Sequence, residues 1–130
     1  MFVDASAIVA ILLPEPTGDA LFDTLLEQST RLTSGIAIWE ATTRLEREHA
    51  PEVVRRQMAG FLEEAEIGVV AIGAAEARIA SIARVRYSTG KYKLNMGDCF
   101  AYACAKANGV PLLFVGIDFT RTDVNDGHAL

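Results

Sequence analysis

The sequence predicts an α/β fold, a three-layer α/β/α sandwich around a central, mainly parallel sheet. Two observations predict it. Short apolar runs such as residues 1–4 and 110–115 are typical of buried strands, and segments with helical periodicity separate them. Strands that alternate with helices favour a parallel sheet covered by helices on both faces. The length of 130 residues is that of one ordinary domain, so residues 1–130 are expected to form a single domain.

The strands are expected to be short, with turn or helix signals on either side. They are predicted at residues 1–4, 31–33, 67–72 and 110–115. Residues 87–94 are polar and are expected to form a loop. The last six residues, 125–130, are expected to be a loosely held tail, because chain ends without apolar anchors are poorly ordered.

The helices are predicted from their apolar periodicity and from the residues at their ends. They are expected at residues 7–13, 17–28, 36–48, 51–64, 74–85 and 96–107. Ser6, Ser34 and Asn95 are small polar residues that can accept a hydrogen bond from a first-turn N–H, so each is a predicted N-cap. Pro51 suits a first turn, and Asn108 with Gly109 is typical of a helix C-terminus.

Composition limits the class of protein. The net charge of -5 argues against a protein whose whole surface coats nucleic acid. No apolar stretch approaches the roughly 20 residues of a membrane span, and no basic segment precedes the first apolar run, so a cytoplasmic protein without a membrane partner is expected. Cys99 and Cys104 are five residues apart in a predicted helix, which favours two unpaired, buried thiols.

Four acids stand where a parallel fold would bring them together. Asp4 and Asp118 follow apolar strands, while Glu40 and Asp98 lie in the first turns of predicted helices. Strand ends and the starts of the following helices share one edge of such a sheet. Crowded carboxylates repel one another, and a hard divalent cation, Mg²⁺ or Mn²⁺, relieves that repulsion. The pattern predicts a metal-dependent enzyme, with Ser6 as a hydrogen-bond partner of Asp4.

Each acid also has a purely structural interpretation. Asp98 can complement a helix dipole, and Asp4 can be an ordinary turn residue. Glu40 can pair with Arg44, four residues later. Asp123 can take the place of the fourth acid. These alternatives stay open at the level of sequence.

A basic segment precedes the helix that carries Asp98. Its cations are Arg84, Arg86, Lys91 and Lys93, with no acid among them. Tyr87 and Tyr92 are aromatic residues of the same segment. The segment leads into that helix and is predicted to rim the site, although an ordinary solvated loop is an equal alternative. Arg44 and Arg47 are further candidates for phosphate contacts.

Four stretches of the chain resemble the PIN domain family, and in particular the VapC toxins of bacterial toxin–antitoxin pairs. They are the opening Met1-Phe2-Val3-Asp4-Ala5-Ser6-Ala7, then Trp39-Glu40, then Leu94-Asn95-Met96-Gly97-Asp98-Cys99, and finally Leu113-Phe114-Val115-Gly116-Ile117-Asp118-Phe119. The resemblance spans nearly the whole chain and implies a PIN-like sandwich. It places the family's acids on Asp4, Glu40 and Asp98. The fourth acid varies within the family, and Asp118 is the choice here.

The resemblance also implies an activity and partners. It implies a Mg²⁺-dependent endoribonuclease toxin that cuts RNA, either tRNA or another structured RNA. With such a substrate the basic segment, Arg84, Arg86, Lys91 and Lys93, is expected to bind RNA, and Tyr87 and Tyr92 can stack on unpaired bases. A VapB-type antitoxin would neutralise it, and a homodimer and a toxin–antitoxin hetero-oligomer are expected. An alternative is a catalytically weak PIN-domain module that regulates its operon with a DNA-binding partner. A phosphate-handling enzyme of another class is disfavoured because the chain lacks a Gly-rich phosphate loop.

Overall fold

The computed structural model describes residues 1–87, 90, 93–124 and 126–129, the last four through their backbone alone. Within these residues the helices are α1 (Ala5–Leu12), α2 (Gly18–Leu26), α3 (Gly35–Leu45), α4 (Pro51–Glu64), α5 (Ala74–Arg86) and α6 (Met96–Asn108). The strands are β1 (Phe2–Val3), β2 (Leu32–Ser34), β3 (Gly68–Val70), β4 (Leu112–Phe114) and β5 (Asp126–Ala129). The helices confirm the predicted order, with ends that shift by a few residues.

The strands form one parallel sheet in the order β3-β2-β1-β4-β5. Strand β1 lies at the centre, where Phe2 pairs with Leu32 on one side and with Leu112 on the other. The chain moves outward from β1 first to β2 and β3 and later to β4. A parallel sheet binds ligands beyond the carboxyl ends of its strands at such a switch in direction. Asp4 follows β1 at this point.

Two hydrophobic cores flank the sheet, one on each face. Val3 and Leu113 pack into the core that includes side chains of α1, α2 and α4. Phe2, Leu112 and Phe114 pack into the core that includes side chains of α5 and α6. Successive strand residues point to opposite faces, so apolar runs on β1 and β4 supply both cores. The predicted α/β/α sandwich with a parallel sheet is confirmed.

The caps follow local hydrogen-bonding chemistry, with one correction. Ser34 accepts from the Ala37 N–H at 3.1 Å and Asn95 from the Asp98 N–H at 2.8 Å, as predicted. Ser6 is not the N-cap of α1. Asp4 is, because its carboxylate accepts from the Ser6 N–H at 3.0 Å and the helix starts at Ala5.

The prediction of a loose tail is wrong for residues 126–129. They form β5, which lies parallel to β4 with Asp126 opposite Leu112. The segment has no apolar run, so its sequence carries no strand signal. It forms a strand because the outer edge of β4 offers unpaired backbone groups.

Two predictions drawn from composition can be compared with the structure. Cys99 and Cys104 are buried and unpaired, as predicted. Among the described helices, none combines the length and the apolar content needed to cross a membrane.

Candidate active site

The four predicted acids line one cavity of about 670 Å³ at the carboxyl edge of the sheet. Asp4 comes from the end of β1, Glu40 from α3, Asp98 from the first turn of α6, and Asp118 from the segment after β4. Gly116, with a φ of 101° that favours glycine, lies in that last segment. The fold thus brings together side chains more than 100 residues apart, while their chemical role stays a prediction.

Asp4 is the most rigidly held of the four acids. It is 5% exposed, and its Oδ2 accepts from the Ser6 N–H at 3.0 Å and from the Ser6 hydroxyl at 2.5 Å. The Ser6 hydroxyl oxygen in turn accepts from the Val115 N–H at 3.0 Å, just past β4. Burial raises the pKa of Asp4, the Ser6 hydrogen bonds oppose that rise, and the charge of Asp118 adds to it. The predicted contact between Ser6 and Asp4 is present and ties the acid to two strand ends.

Glu40 lies against the backbone of α6. A Cβ added at Gly97 would overlap the carboxyl carbon and both carboxyl oxygens of Glu40, so a larger residue there would displace the Glu40 carboxylate. Burial raises the pKa of Glu40 to about 7, and the charges of Asp4 and Asp98 contribute. Within the described residues Glu40 and Arg44 form no ion pair, so that structural alternative is wrong.

Asp98 serves as a helix-capping residue and as a member of the acidic group. Its Oδ2 accepts from the Asn95 N–H at 3.0 Å, which completes a reciprocal cap with Asn95. Burial raises the pKa of Asp98 to about 6, the hydrogen bond from Asn95 opposes this, and the charges of Asp4 and Asp118 add to it. The structural interpretation of Asp98, a carboxylate at the start of a helix, is therefore correct, and it coexists with a place in the cavity.

The geometry favours Asp118 over Asp123 as the fourth acid. Asp118 lines the cavity, and its charge reaches both Asp4 and Asp98. Asp123 is engaged elsewhere: it accepts from Tyr102 at 2.5 Å and from Tyr87 at 3.2 Å, and Lys106 lies 3.4 Å away. Asp123 thus fastens the segment after β4 to α6 and to the end of α5.

The donor chemistry of the cavity fits a hard divalent cation. Among the described residues that line it, the acidic side chains are aspartates and glutamates, and there is no histidine or cysteine. Oxygen donors are what Mg²⁺ and Mn²⁺ prefer. In the part of the chain that the structure describes, no three Asp, Glu, His or Cys side chains are close enough together to hold an ion in their present positions. Metal binding would therefore require some of these carboxylates to rotate toward the others.

The cations of the cavity differ from those that the sequence favoured. Arg44 and Arg47 line it, next to Trp39 and Thr43 on the same stretch of chain. Of the predicted basic segment, Arg84, Arg86 and Lys93 are exposed and are not among the lining residues, while Lys91 and Tyr92 lie outside the described residues. The RNA-binding role of that segment stays a prediction.

Sequence reasoning gave Trp39 no role and ranked Arg44 and Arg47 second. A helical signal was present, because residues 40, 43, 44 and 47 follow the i, i+3, i+4, i+7 spacing of one helix face. The buried residues of α3, Ala37, Ala41 and Leu45, occupy a neighbouring face of the helix. The polar residues therefore lie beside the packed face and not within it.

Comparison with known proteins identifies the family of this chain. The sequence model of the PIN domain family matches residues 1–125. The chain belongs to the PIN domain family. A similar relative is "Ribonuclease VapC" of Mycolicibacterium smegmatis, which is 38% identical over 130 residues, 98% of this chain and 100% of the relative.

Solved structures share the fold of this PIN domain. VapC20 of Mycobacterium tuberculosis, described as a toxin that cleaves the sarcin–ricin loop, superposes with a TM-score of 0.79 at 17% identity over 95% of each chain. VapBC2 of Rickettsia felis, solved with a DNA fragment from its promoter, superposes with a TM-score of 0.72 at 16% identity over 96% of this chain and 94% of that one. At such low identity these likenesses show the fold alone.

Proposed function

We propose that this PIN domain is a metal-dependent endoribonuclease toxin of a type II toxin–antitoxin pair. The observation that carries the proposal is the cavity in which Asp4, Glu40, Asp98 and Asp118 converge, with Arg44 and Arg47 at the same site. Four carboxylates suit a divalent cation, and the two arginines suit a phosphodiester. The 38% identical relative named as a ribonuclease supports the same chemistry.

The four carboxylates would hold Mg²⁺ or Mn²⁺. Once bound, the ion supplies an activated water and stabilises charge on the scissile phosphate. Asp4 is preorganised by Ser6, so one ligand is in place at little entropic cost. With a pKa of about 7, Glu40 can release a proton near neutral pH when a cation approaches. Arg44 and Arg47 attract the RNA backbone.

Protein nucleophiles are poorly suited to the reaction. The Ser6 hydroxyl donates to Asp4, so its proton and one lone pair are engaged in the hydrogen bonds that hold that acid. Burial raises the pKa of Cys99, which keeps the thiol protonated at neutral pH. A water molecule is therefore the better nucleophile, which agrees with hydrolysis of the phosphodiester bond.

The purified protein should cleave RNA in Mg²⁺ or Mn²⁺ and become inactive in EDTA. Cleavage should return when the metal is added back, because the carboxylates supply charge and ligands but no nucleophile. The measurement is gel analysis of a structured RNA, including tRNA, before and after chelation. Cleavage that persists at full rate in EDTA would exclude the metal mechanism, and an absence of cleavage under every condition would favour the regulatory binding module.

A second cavity suits a protein partner. It is an apolar groove of about 580 Å³ between α1, α2 and α4. Its apolar walls include Ile11, Leu12, Phe22, Val53 and Phe61, and Arg56 and Glu64 also line it. Such a groove fits an amphipathic segment of another chain. We assign it to a segment of a VapB-type antitoxin, which is the kind of partner that the VapBC2 complex contains. The expected homodimer stays a prediction.

Gly60→Gln should block antitoxin binding and leave RNA cleavage intact. Gly60 lines the groove, and no atom lies within 4 Å of a Cβ built there, so a larger side chain fills the groove without a clash in the fold. Ala59→Gln is the matched control, because Ala59 is exposed on the same helix and does not line the groove. Affinity is measured by calorimetry with the antitoxin encoded beside this chain. Equal affinity of both variants would place the antitoxin elsewhere.

A further inference from the structure

Helix α3 and the turn that follows it present a stripe of functional side chains to the acidic cavity. The lining residues from this part of the chain are Trp39, Glu40, Thr43, Arg44 and Arg47. They combine a flat aromatic ring, one acid of the proposed metal site, a hydroxyl and two cations in one cavity. Trp39, Arg44 and Arg47 are exposed and are not among the buried residues of α3, so helix packing does not account for the aromatic ring or the cations.

Trp39 is the unusual member of this stripe. It is the one tryptophan of the chain, and 64% of its surface is exposed although it borders a cavity lined with charges. An exposed indole gains free energy when another apolar face covers it. A ligand for this surface needs a flat face for Trp39 and anionic groups for Arg44 and Arg47. A nucleotide has both.

We propose that α3, together with the turn that follows it, is the strand-binding track of the nuclease. In this arrangement Trp39 stacks on an unpaired base beside the scissile phosphate, and Arg44 and Arg47 bind phosphates of the same strand. Trp39 and Arg44 line the same cavity, so a strand bound in it can engage both side chains. The proposal rests on the ribonuclease function and deepens it.

The track defines a class of substrate. Bases within a duplex are already stacked on each other, whereas bases in loops and single strands can stack on an aromatic side chain. Stacking tolerates every base, because each has a π-face. Trp39 therefore selects RNA that is unpaired at the cut, such as a loop of a structured RNA, and it does not read the sequence.

Fluorescence of Trp39 gives a direct test, because the chain has no other tryptophan. The Asp98→Asn variant, in Mg²⁺, is titrated with three labelled RNAs: a single-stranded oligonucleotide, the same strand with one abasic site at the cut, and its duplex. Anisotropy of the label reports binding independently. We expect the single strand to quench Trp39 as it binds, and the abasic strand and the duplex to bind more weakly with little quenching.

Substitutions measure how much each contact contributes to the affinity for RNA. Trp39→Leu should weaken single-strand binding by about 10-fold or more, while Trp39→Phe, which keeps a stacking face, should lose much less. Ile82→Ala is the control, since Ile82 is 50% exposed on α5 and is not among the cavity residues. Arg44→Ala should lower the slope of log affinity against log salt by about 0.7. Arg55→Ala removes an exposed arginine that does not line the cavity, and it should not change the slope.

The outcomes separate this proposal from the ribonuclease function. If the single strand binds and is cut by the wild type while Trp39 is not quenched and Trp39→Leu binds normally, the track is wrong and the function stands. If Trp39→Leu instead weakens only antitoxin binding, the ring belongs to a protein interface, and the track is again wrong. If the wild type neither binds nor cuts RNA, both proposals are overturned.

Discussion

Asp98→Asn should reduce RNA cleavage by roughly 1,000-fold or more, because the charge stabilisation that a metal ion provides is worth several kcal/mol and an amide is a poor substitute for a ligand carboxylate. The fold should survive, since an asparagine oxygen can still accept from the Asn95 N–H. Asp4→Asn should behave in the same way. Asp4→Ala is a less clean variant, because it also removes the N-cap of α1, a loss of about 0.5–2 kcal/mol.

Stability measurements separate a lost ligand from a lost fold. The folded-state pKa of Asp98, about 6, lies above its usual 3.8. Ionised Asp98 is therefore disfavoured in the folded state, and stability that is present below pH 3.8 is lost as the pH rises through 6. At pH 8 without metal, Asp98→Asn should be at least as stable as the wild type. Partial exposure limits the gain to about 1 kcal/mol.

A matched control comes from the acid that the structure excludes from the cavity. Asp123→Asn makes the same chemical change but acts on hydrogen bonds from Tyr102 and Tyr87. We expect it to retain most cleavage and to lower the thermal midpoint. Full cleavage by Asp98→Asn at saturating Mg²⁺ would remove Asp98 from the metal site. Loss of cleavage in Asp123→Asn alone would reverse the assignment of the fourth acid.

Gly97→Ala should lower cleavage by roughly 100-fold without adding or removing a charge. The new Cβ would occupy the position of the Glu40 carboxylate, so Glu40 must move away from the start of α6. Displacement of a reacting group by about 1 Å can cost that much in rate. Gly35→Ala is the control, because a Cβ at Gly35 on α3 has no atom within 4 Å, and its cleavage should be unchanged.

A double-mutant cycle shows whether the clash is the cause. Alanine is normally better than glycine inside a helix by about 0.5–1 kcal/mol. In a Glu40→Ala background Gly97→Ala should therefore stabilise the protein, whereas with Glu40 present the clash should cancel or reverse that gain. Urea unfolding of the four proteins measures the difference. The contrary result is that the two substitutions have additive effects on stability and that Gly97→Ala cleaves RNA at the wild-type rate. That result would mean that catalysis does not require Glu40 to lie against α6.

Local chemistry explains which elements could be predicted. Helix α4 has the predicted bounds, Pro51–Glu64, because proline sets its first turn. Ser34 and Asn95 cap helices as predicted, because a cap is a hydrogen bond across three residues. Asp4 and Ser6 lie only two residues apart, and either side chain can cap a helix. Which of them caps α1 depended on where the preceding strand, β1, ends. Strand β5 was missed because its partner, and not its own sequence, makes it a strand.

The features of the site also fall into two groups, those that local sequence predicts and those that tertiary contacts decide. The sequence by itself determined that Asp4, Glu40, Asp98 and an acid after β4 converge, because alternating strands and helices leave those positions at one edge of a parallel sheet. Only the tertiary structure decided that Asp118, and not Asp123, lines the cavity, since Tyr102 holds Asp123 elsewhere. It also placed Arg44 in the cavity, whereas the described cations of the basic segment, Arg84, Arg86 and Lys93, are not among its lining residues. The convergence of the acids follows from the order of strands and helices, which the hydrophobic periodicity of the sequence reveals. The choice between neighbouring residues depends on contacts across the chain, which no local pattern encodes.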